Sequence, residues 1–358
     1  MGWAESLYGA MLDQEAEFTK LVDAAKQGDA SSQTEVGRHF LERGNFLTGE
    51  PQPDYLAALE WFRLAAQQGH PQAQDCLAIM YASGWGVPQD HAEAALWYRK
   101  AAEQNYVESQ RRLGKAYAEG RGMPHDPVQA VAWYTRAAEQ WDYKSATDLS
   151  EIYFSGHGLD KNFVLAYMWK AIASWNGFAL VGPELSNQMS ASEITEAQRL
   201  TVQWFRKLAD QGHPWAQCVL GEAYADTQGA PHNDAEAAAW YRKAAAQGYS
   251  RAQYFLGRAC ANGLGTPQND PEALDWFTRA AEQGHREAAD ELGERYFSGR
   301  GVERNLAQAY FWHTIGACGD LRHGPASLRQ KLIEAMSASE VSEAELLVKK
   351  WKERRSKQ

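Results

Sequence analysis

The chain has 358 residues, 44% hydrophobic and 23% charged, with a net charge of −10. That balance supports a folded globular chain. It excludes a membrane-spanning segment, since no apolar run is long enough to cross a bilayer, and a disulfide framework, since there are only four cysteines. It also argues against nucleic acid as a partner and against insertion into a membrane.

Residues 1–28 begin Met1-Gly2-Trp3, with no basic n-region and no long apolar h-region, so no secretory signal is expected. The segment ends Ala24-Ala25-Lys26-Gln27-Gly28, read as half a repeat capping the N-terminus. Residues 29–352 then repeat one pattern, in two related blocks of about 70–212 and 213–352. Residues 353–358 form a basic tail, and Gly44 to Asp54 a longer, Pro-containing loop.

Tryptophan marks the repeat. Trp61, Trp97, Trp133, Trp169, Trp204, Trp240, Trp276, Trp312 and Trp351 recur with a near-constant period of about 36 residues, the range of a helical repeat array. Most are followed by Phe or Tyr and then by an Ala-Ala pair, with Gly or Asn ending the helix, as in Ala65–Gly69 and Ala280–Gly284. Such a residue suits a left-handed helix terminus. This segment is helix B. Before it comes helix A, with a small residue, Leu, Gly and Tyr at three- and four-residue spacing, as in Ser109, Leu113, Gly114 and Tyr117. A Gly inside a helix costs about 1 kcal/mol against Ala, so its recurrence predicts close backbone approach between neighbouring helices. A Gly-x-Gly turn follows. Then comes Asp90, Asp126, Asn162, Asn233, Asn269 or Asn305 as N-cap of helix B, often with Glu or Gln three residues on, the spacing of a capping box. The nine framework tryptophans are expected in the core. Trp3, Trp85, Trp141, Trp175 and Trp215 fall outside the register, as surface anchors or local plugs.

One helix pair cannot bury its apolar face alone, but a stack of pairs can. The prediction is an all-α, right-handed superhelical α-solenoid of about nine helix-turn-helix repeats. The Ala73–Val87 helix and turn, with Ala78 in the Gly slot, and the Trp-Tyr-x-x-Ala-Ala-x-x-Gly helix resemble the Sel1-like repeat family, relatives of the tetratricopeptide repeats. The resemblance covers roughly residues 20 to 352. A higher-order duplication accompanies it, since Met189–Glu193 returns as Met336–Glu340, both Ser-rich. Secreted relatives join a Cys at the end of helix B to another eight residues on. Here Ala326 stands eight after Cys318, and Asp210 eight before Cys218, so that framework is absent.

No catalytic constellation emerges: there is no Gly-x-Ser-x-Gly, HExxH or phosphate-binding loop. His70, His213 and His285 share one slot several repeats apart and are read as turn residues. His125 and His157 lie in successive turns and are not assigned a metal. No catalytic, metal or cofactor residue is assigned, and the protein is expected not to be an enzyme. Cys76, Cys218, Cys260 and Cys318 are expected as reduced thiols, with Cys260 in core packing. The expected location is the cytoplasm, or the periplasm if a leader has been removed.

Helix-A positions that the framework leaves free would line the concave face. There the candidates for contact with a protein or peptide are Arg111, Arg112, Lys115, Glu151, Glu222, Asp226, Tyr254, Phe255 and Arg258. Aromatic residues and Arg are common interface anchors, and a solvated face rarely presents Phe. The resemblance implies a non-enzymatic bacterial scaffold or adaptor. The alternatives are an immunity protein neutralising a secreted antibacterial effector such as a lipase, or an envelope- or peptidoglycan-associated regulatory binding protein. A homodimer is compatible with each.

Overall fold

The computed structural model describes residues 17–43, 53–174, 182–226, 229–316 and 332–355. Trp3, Trp175, Cys318 and most of the 44–54 loop lie outside them. The described residues are helical with no strand, and they form two compact units. In the first, a helix over 17–26 (α1) precedes the pairs α2 (Ala30–Arg43) and α3 (Tyr55–Gln67), α4 (Pro71–Ser83) and α5 (His91–Glu103), α6 (Val107–Glu119) and α7 (Pro127–Glu139), and α8 (Tyr143–Ser155) and α9 (Phe163–Ala173). One helical turn, α10 (Pro183–Ser186), packs on α9. The second unit starts with α11 (Ala191–Asp210). It continues with α12 (Pro214–Ala225) and α13 (Asp234–Ala246), α14 (Ser250–Asn262) and α15 (Asp270–Glu282), α16 (Arg286–Ser298) and α17 (Leu306–Gly316), and α18 (Ala338–Arg355). Each helix A packs chiefly on the helix B that follows it, and less on the helix B before it.

The helical glycines serve a ring and not a backbone, which corrects the expectation of helix–helix backbone approach. A Cβ on Gly114 would sit 2.9 Å from the Tyr134 ring, and one on Gly257 would sit 2.8 Å from Phe277. The ring after the Trp (Phe62, Tyr134, Tyr241, Phe277, and His313 after Trp312) therefore sits against the bare Gly of helix A in five pairs. Phe62, Phe205 and Phe277 are fully buried, and the pairs beside them (Ala65-Ala66, Leu208-Ala209 and Ala280-Ala281) are buried too. The tryptophans divide. Trp133, Trp169, Trp240 and Trp312 are buried, while Trp61, Trp97, Trp204, Trp276 and Trp351 are only half-buried. A cation from the next turn covers several of these rings: Lys100 Nζ is 3.7 Å from the centre of Trp97, and Lys243 Nζ is 3.7 Å from Trp240.

The Gly-x-Gly turn has two jobs. Its first Gly ends helix A in the left-handed region. Its second also holds positive φ and presses on the previous helix B: a Cβ at Gly265 would run into the Asp234 carbonyl at the start of α13.

Every expected N-cap accepts from the first turn of its helix B, as Asp126 Oδ1 does from Gln129 N at 3.0 Å. The reciprocal half of the capping box is supplied differently. The N-cap's own N–H donates to the last turn of helix A, Asp90 to Tyr81 O at 2.9 Å and Asn269 to Cys260 O at 2.8 Å. That frees Glu93 and Glu272 to accept from Trp97 Nε1 and Trp276 Nε1. A reciprocal box does form before α18, where Glu340 N donates to Ser337 Oγ and Ser337 N to Glu340 Oε2.

A ladder of buried amides joins successive repeats. Gln33, Gln74, Gln110, Gln217 and Gln253 on helix A donate to Ala carbonyls at the end of the preceding helix B, at 3.0–3.3 Å. Each also accepts from the Gln that ends its own helix B (Gln68, Gln104, Gln140, Gln247, Gln283) at 2.8–2.9 Å. In α8 and α16 the matching slot holds Ala146 and Ala289. The remaining tryptophans are local fixtures. Trp85, 38% exposed, stacks on Tyr55 at 5.5 Å, and Trp215 meets Phe205 edge-on at 5.2 Å. Trp141 takes φ +77°, in the slot where other copies place Gly.

Two outcomes follow for stability. Gly265→Ala should cost about 2 kcal/mol in urea unfolding, because it adds φ strain and a backbone clash. Gln110→Leu should cost about 2 kcal/mol, because it leaves the Gln140 amide without its acceptor and takes one donor from the Ala102 carbonyl; Gln129→Leu, which leaves the ladder intact, is the control.

Candidate partner interface

Helix A spends its Ala, Leu, Gly and Tyr slots on the core, and the remaining slots form a second face. In the first unit that face comes from α4, α6 and α8, and its charges are already linked across repeats. Asp75 on α4 is buried. It accepts from Ser109 Oγ at 2.6 Å and from Arg112 Nη1 at 2.5 Å, both on α6. Burial raises the Asp75 pKa, and Arg112 and Ser109 oppose that shift. Arg111 Nε lies 3.5 Å from Asp142, the N-cap of α8. Asp148 is likewise raised by burial, opposed by Arg111 and Lys115. Lys115 and Glu151 remain exposed, and Lys115 makes a loose 3.8 Å pair with Glu119.

In the second unit the face comes from α12, α14 and α16. Glu222 on α12 pairs with Arg251 on α14 at 2.8 Å, and burial raises its pKa against the pull of Arg251. Phe255 is half-buried and stacks on Tyr241 at 5.1 Å and 18°, which accounts for a Phe in this slot. Tyr254 stacks on His285 at 4.8 Å. Asp226 and Arg258 are exposed, with the Arg258 guanidinium 5.9 Å from the centre of the Tyr254 ring. The nine candidates thus fall on two faces, one in each unit. Arg111, Arg112, Glu222, Tyr254 and Phe255 are engaged in packing or ion pairs, and Lys115, Glu151, Asp226 and Arg258 present charge to solvent. Reading the sequence missed Arg251 as the partner of Glu222. Its signal was an Arg 29 residues after a Glu, at the start of the next helix A.

Little nucleophilic chemistry is available on these faces. Burial pushes the Cys76 thiol up to about 12 and Cys218 well above its ordinary value, so neither supplies thiolate near neutrality. Cys260 is buried in the core. No group of three or more His, Cys, Asp or Glu side chains converges as a metal site among the described residues. No described helix is long and apolar enough to cross a membrane.

Helix pairs fixed by ring-on-glycine contacts, joined by an amide ladder and turned at Gly-x-Gly define an α-solenoid repeat protein. The Sel1 repeat family matches residues 30–70, 71–106, 107–140, 144–172, 195–213, 216–249, 250–285 and 286–321, and the chain belongs to that family. Sel1 repeats generally mediate protein–protein interaction. Human wolframin is 33% identical over 81 residues, which are 22% of this chain and 9% of wolframin, so the match spans about a tenth of that relative. Among solved structures, a protective antigen of uropathogenic Escherichia coli strains displaying an SLR fold is 27% identical, covering 94% of each chain with a TM-score of 0.40. A Sel1 repeat protein from Oxalobacter formigenes is also 27% identical, covering 73% of this chain and 91% of its own, with a TM-score of 0.42.

His285, beside Tyr254, gives the second unit a pH dependence. Burial lowers its pKa, outweighing Glu287, whose carboxylate lies 3.3 Å from Nδ1; Arg251 adds to the lowering. The fold therefore favours the neutral ring. This stabilisation is complete above the unfolded value of about 6.5 and is lost as pH falls below it. Urea unfolding at pH 7.5 and pH 5 should show a smaller loss on acidification in His285→Tyr, which carries the residue found at 106 and 249, than in the unchanged chain.

Proposed function

We propose that this protein is a non-enzymatic scaffold that holds a protein or peptide on the helix-A faces of its repeats, which we take as the concave surface. The observation that supports this reading most is the division of labour along helix A. One set of slots repeats the same packing residues. The other changes side chain from repeat to repeat and keeps Lys115, Glu151, Asp226 and Arg258 exposed. A face that varies on a constant frame suits recognition and not turnover. The net charge of −10 favours a partner with a basic surface. Adaptor and immunity roles differ only in which protein is captured, and rescue from a co-expressed toxin separates them.

Affinity purification with mass spectrometry would identify the main partner. Changing Lys115→Glu, Glu151→Lys, Asp226→Lys and Arg258→Glu together should then weaken its capture by about tenfold or more, with helicity and melting unchanged. Arg112 and Phe255 are left intact, because altering them would disturb packing as well. Capture at full strength by the fourfold variant would remove these faces as the binding surface.

A further inference from the structure

We propose that α18 is a closing cap of the second unit, a helix remade from one that stacks on a further repeat into one that refuses it. The chain holds both versions of this helix. Residues 189–204 return as 336–351, so α11 and α18 correspond position by position. On α11 the forward face is a complete joint. Val202, Leu208 and Ala209 share one core with Ala216, Leu220 and Ala223 of α12. Phe205 meets Trp215 edge-on at 5.2 Å, Arg206 donates to the Tyr224 hydroxyl, and the Ala209 carbonyl accepts from Gln217 Nε2 at 3.1 Å.

Helix α18 keeps the inward face and changes the forward one. Ala197, Leu200 and Trp204 return unchanged as Ala344, Leu347 and Trp351. Ala344 is fully buried, as Ala197 is, and Leu347 and Trp351 pack against the core of the second unit. Every residue of the joint differs. Lys349 stands for Val202, Lys352 for Phe205, Glu353 for Arg206, Arg355 for Leu208 and Ser356 for Ala209. Lys349, Lys352 and Glu353 are exposed. The change is particular to this copy. Two residues before the framework Trp, the other eight copies hold an aliphatic residue or Tyr, and four residues after it they hold Ala, Leu or Gly. The position directly after the Trp discriminates less, since α9 has Lys170 there.

A helix pair stacked on α18 would have to bury Lys349 and Lys352 where α12 offers α11 only Ala, Leu and Trp side chains. An ammonium taken out of water without a carboxylate partner costs more than apolar contact around it returns. The helix dipole favours cations in a last turn, which suits Lys352, Arg354 and Arg355. It does not reach Lys349, which lies more than one turn earlier and on the joint face. A stack of repeats needs an end face that water tolerates. These cations supply one, whatever sequence follows α18, so the basic stretch requires no anionic ligand.

The closed joint can be reopened, and that is the test. A second copy of residues 211–249, which carry α12 and α13, is joined after Lys357, the counterpart of Asp210. On the otherwise unchanged chain, thermolysin should cut the added pair at least about tenfold faster than the chain's own α12 and α13, leaving a fragment that ends near residue 357. Lys349→Val, Lys352→Phe, Glu353→Arg, Arg355→Leu and Ser356→Ala together should slow cleavage of the added pair by about tenfold or more, and Lys349→Val with Lys352→Phe alone should give part of that protection. Lys350→Gln with Arg354→Gln removes two charges away from the joint and should leave cleavage fast. Circular dichroism of each variant without the added pair checks that α18 still folds. An added pair protected on the unchanged α18 would overturn the proposal. So would one left unprotected by both restored faces, or one protected equally by the changes away from the joint.

Discussion

An aromatic ring lying on bare helix backbone sets the geometry of most of the helix pairs. Tyr134 on Gly114 and Phe277 on Gly257 bring helix B closer to helix A than any Cβ would permit. The exchange is favourable: burying such a ring contributes about 1.5–3 kcal/mol, against about 1 kcal/mol for Gly in a helix. With that spacing set, the Ala pair can close behind the ring and the N-cap can hydrogen-bond across the turn. The second Gly of the turn can then reach the previous repeat. Ala78 stands where the ring-bearing Gly would be in α4, and Tyr98, 9% exposed, is the least buried of the Phe and Tyr rings in that position.

Polar groups are then arranged by what the rings leave. The amide ladder gives Ala carbonyls at the ends of several helices B, which already accept from a backbone N–H of the turn, a second donor from the next repeat. Ion pairs such as Asp75–Arg112 and Glu222–Arg251 couple neighbouring helix-A faces. Desolvation absorbs much of the Coulombic gain of such pairs, and the raised carboxyl pKa values reflect it. Their contribution lies in holding neighbouring helices at a fixed offset, so that Lys115 and Arg258 project from an ordered surface.

The periodic tryptophans made the helix pair, its turns and its N-caps legible in the sequence, because each depends on local spacing. What the sequence hid depends on partners in another helix. The helical Gly was visible, but the ring it accommodates belongs to the following helix B, as Tyr134 or Phe277. The capping box looked complete at Glu93, yet a carbonyl of Tyr81 takes the N–H that Glu93 would have bound. The buried Gln of helix A was invisible as a core residue because polarity suggests exposure. Of the candidate interface, the face was legible, but not which members were exposed. Phe255 stood out for its chemistry, and Tyr241 beneath it explains that chemistry without a partner.

The amide ladder carries an evolutionary consequence. Each rung uses the same two glutamines and the same Ala carbonyl, so one repeat presents an identical joint at either end. A segment one repeat long can be gained, lost or exchanged within such a stretch with every rung re-forming, and the lineage can change length in whole repeats. Ala146 and Ala289 interrupt that interchangeability at α8 and α16. A repeat exchanged across either position would leave an amide without its mate.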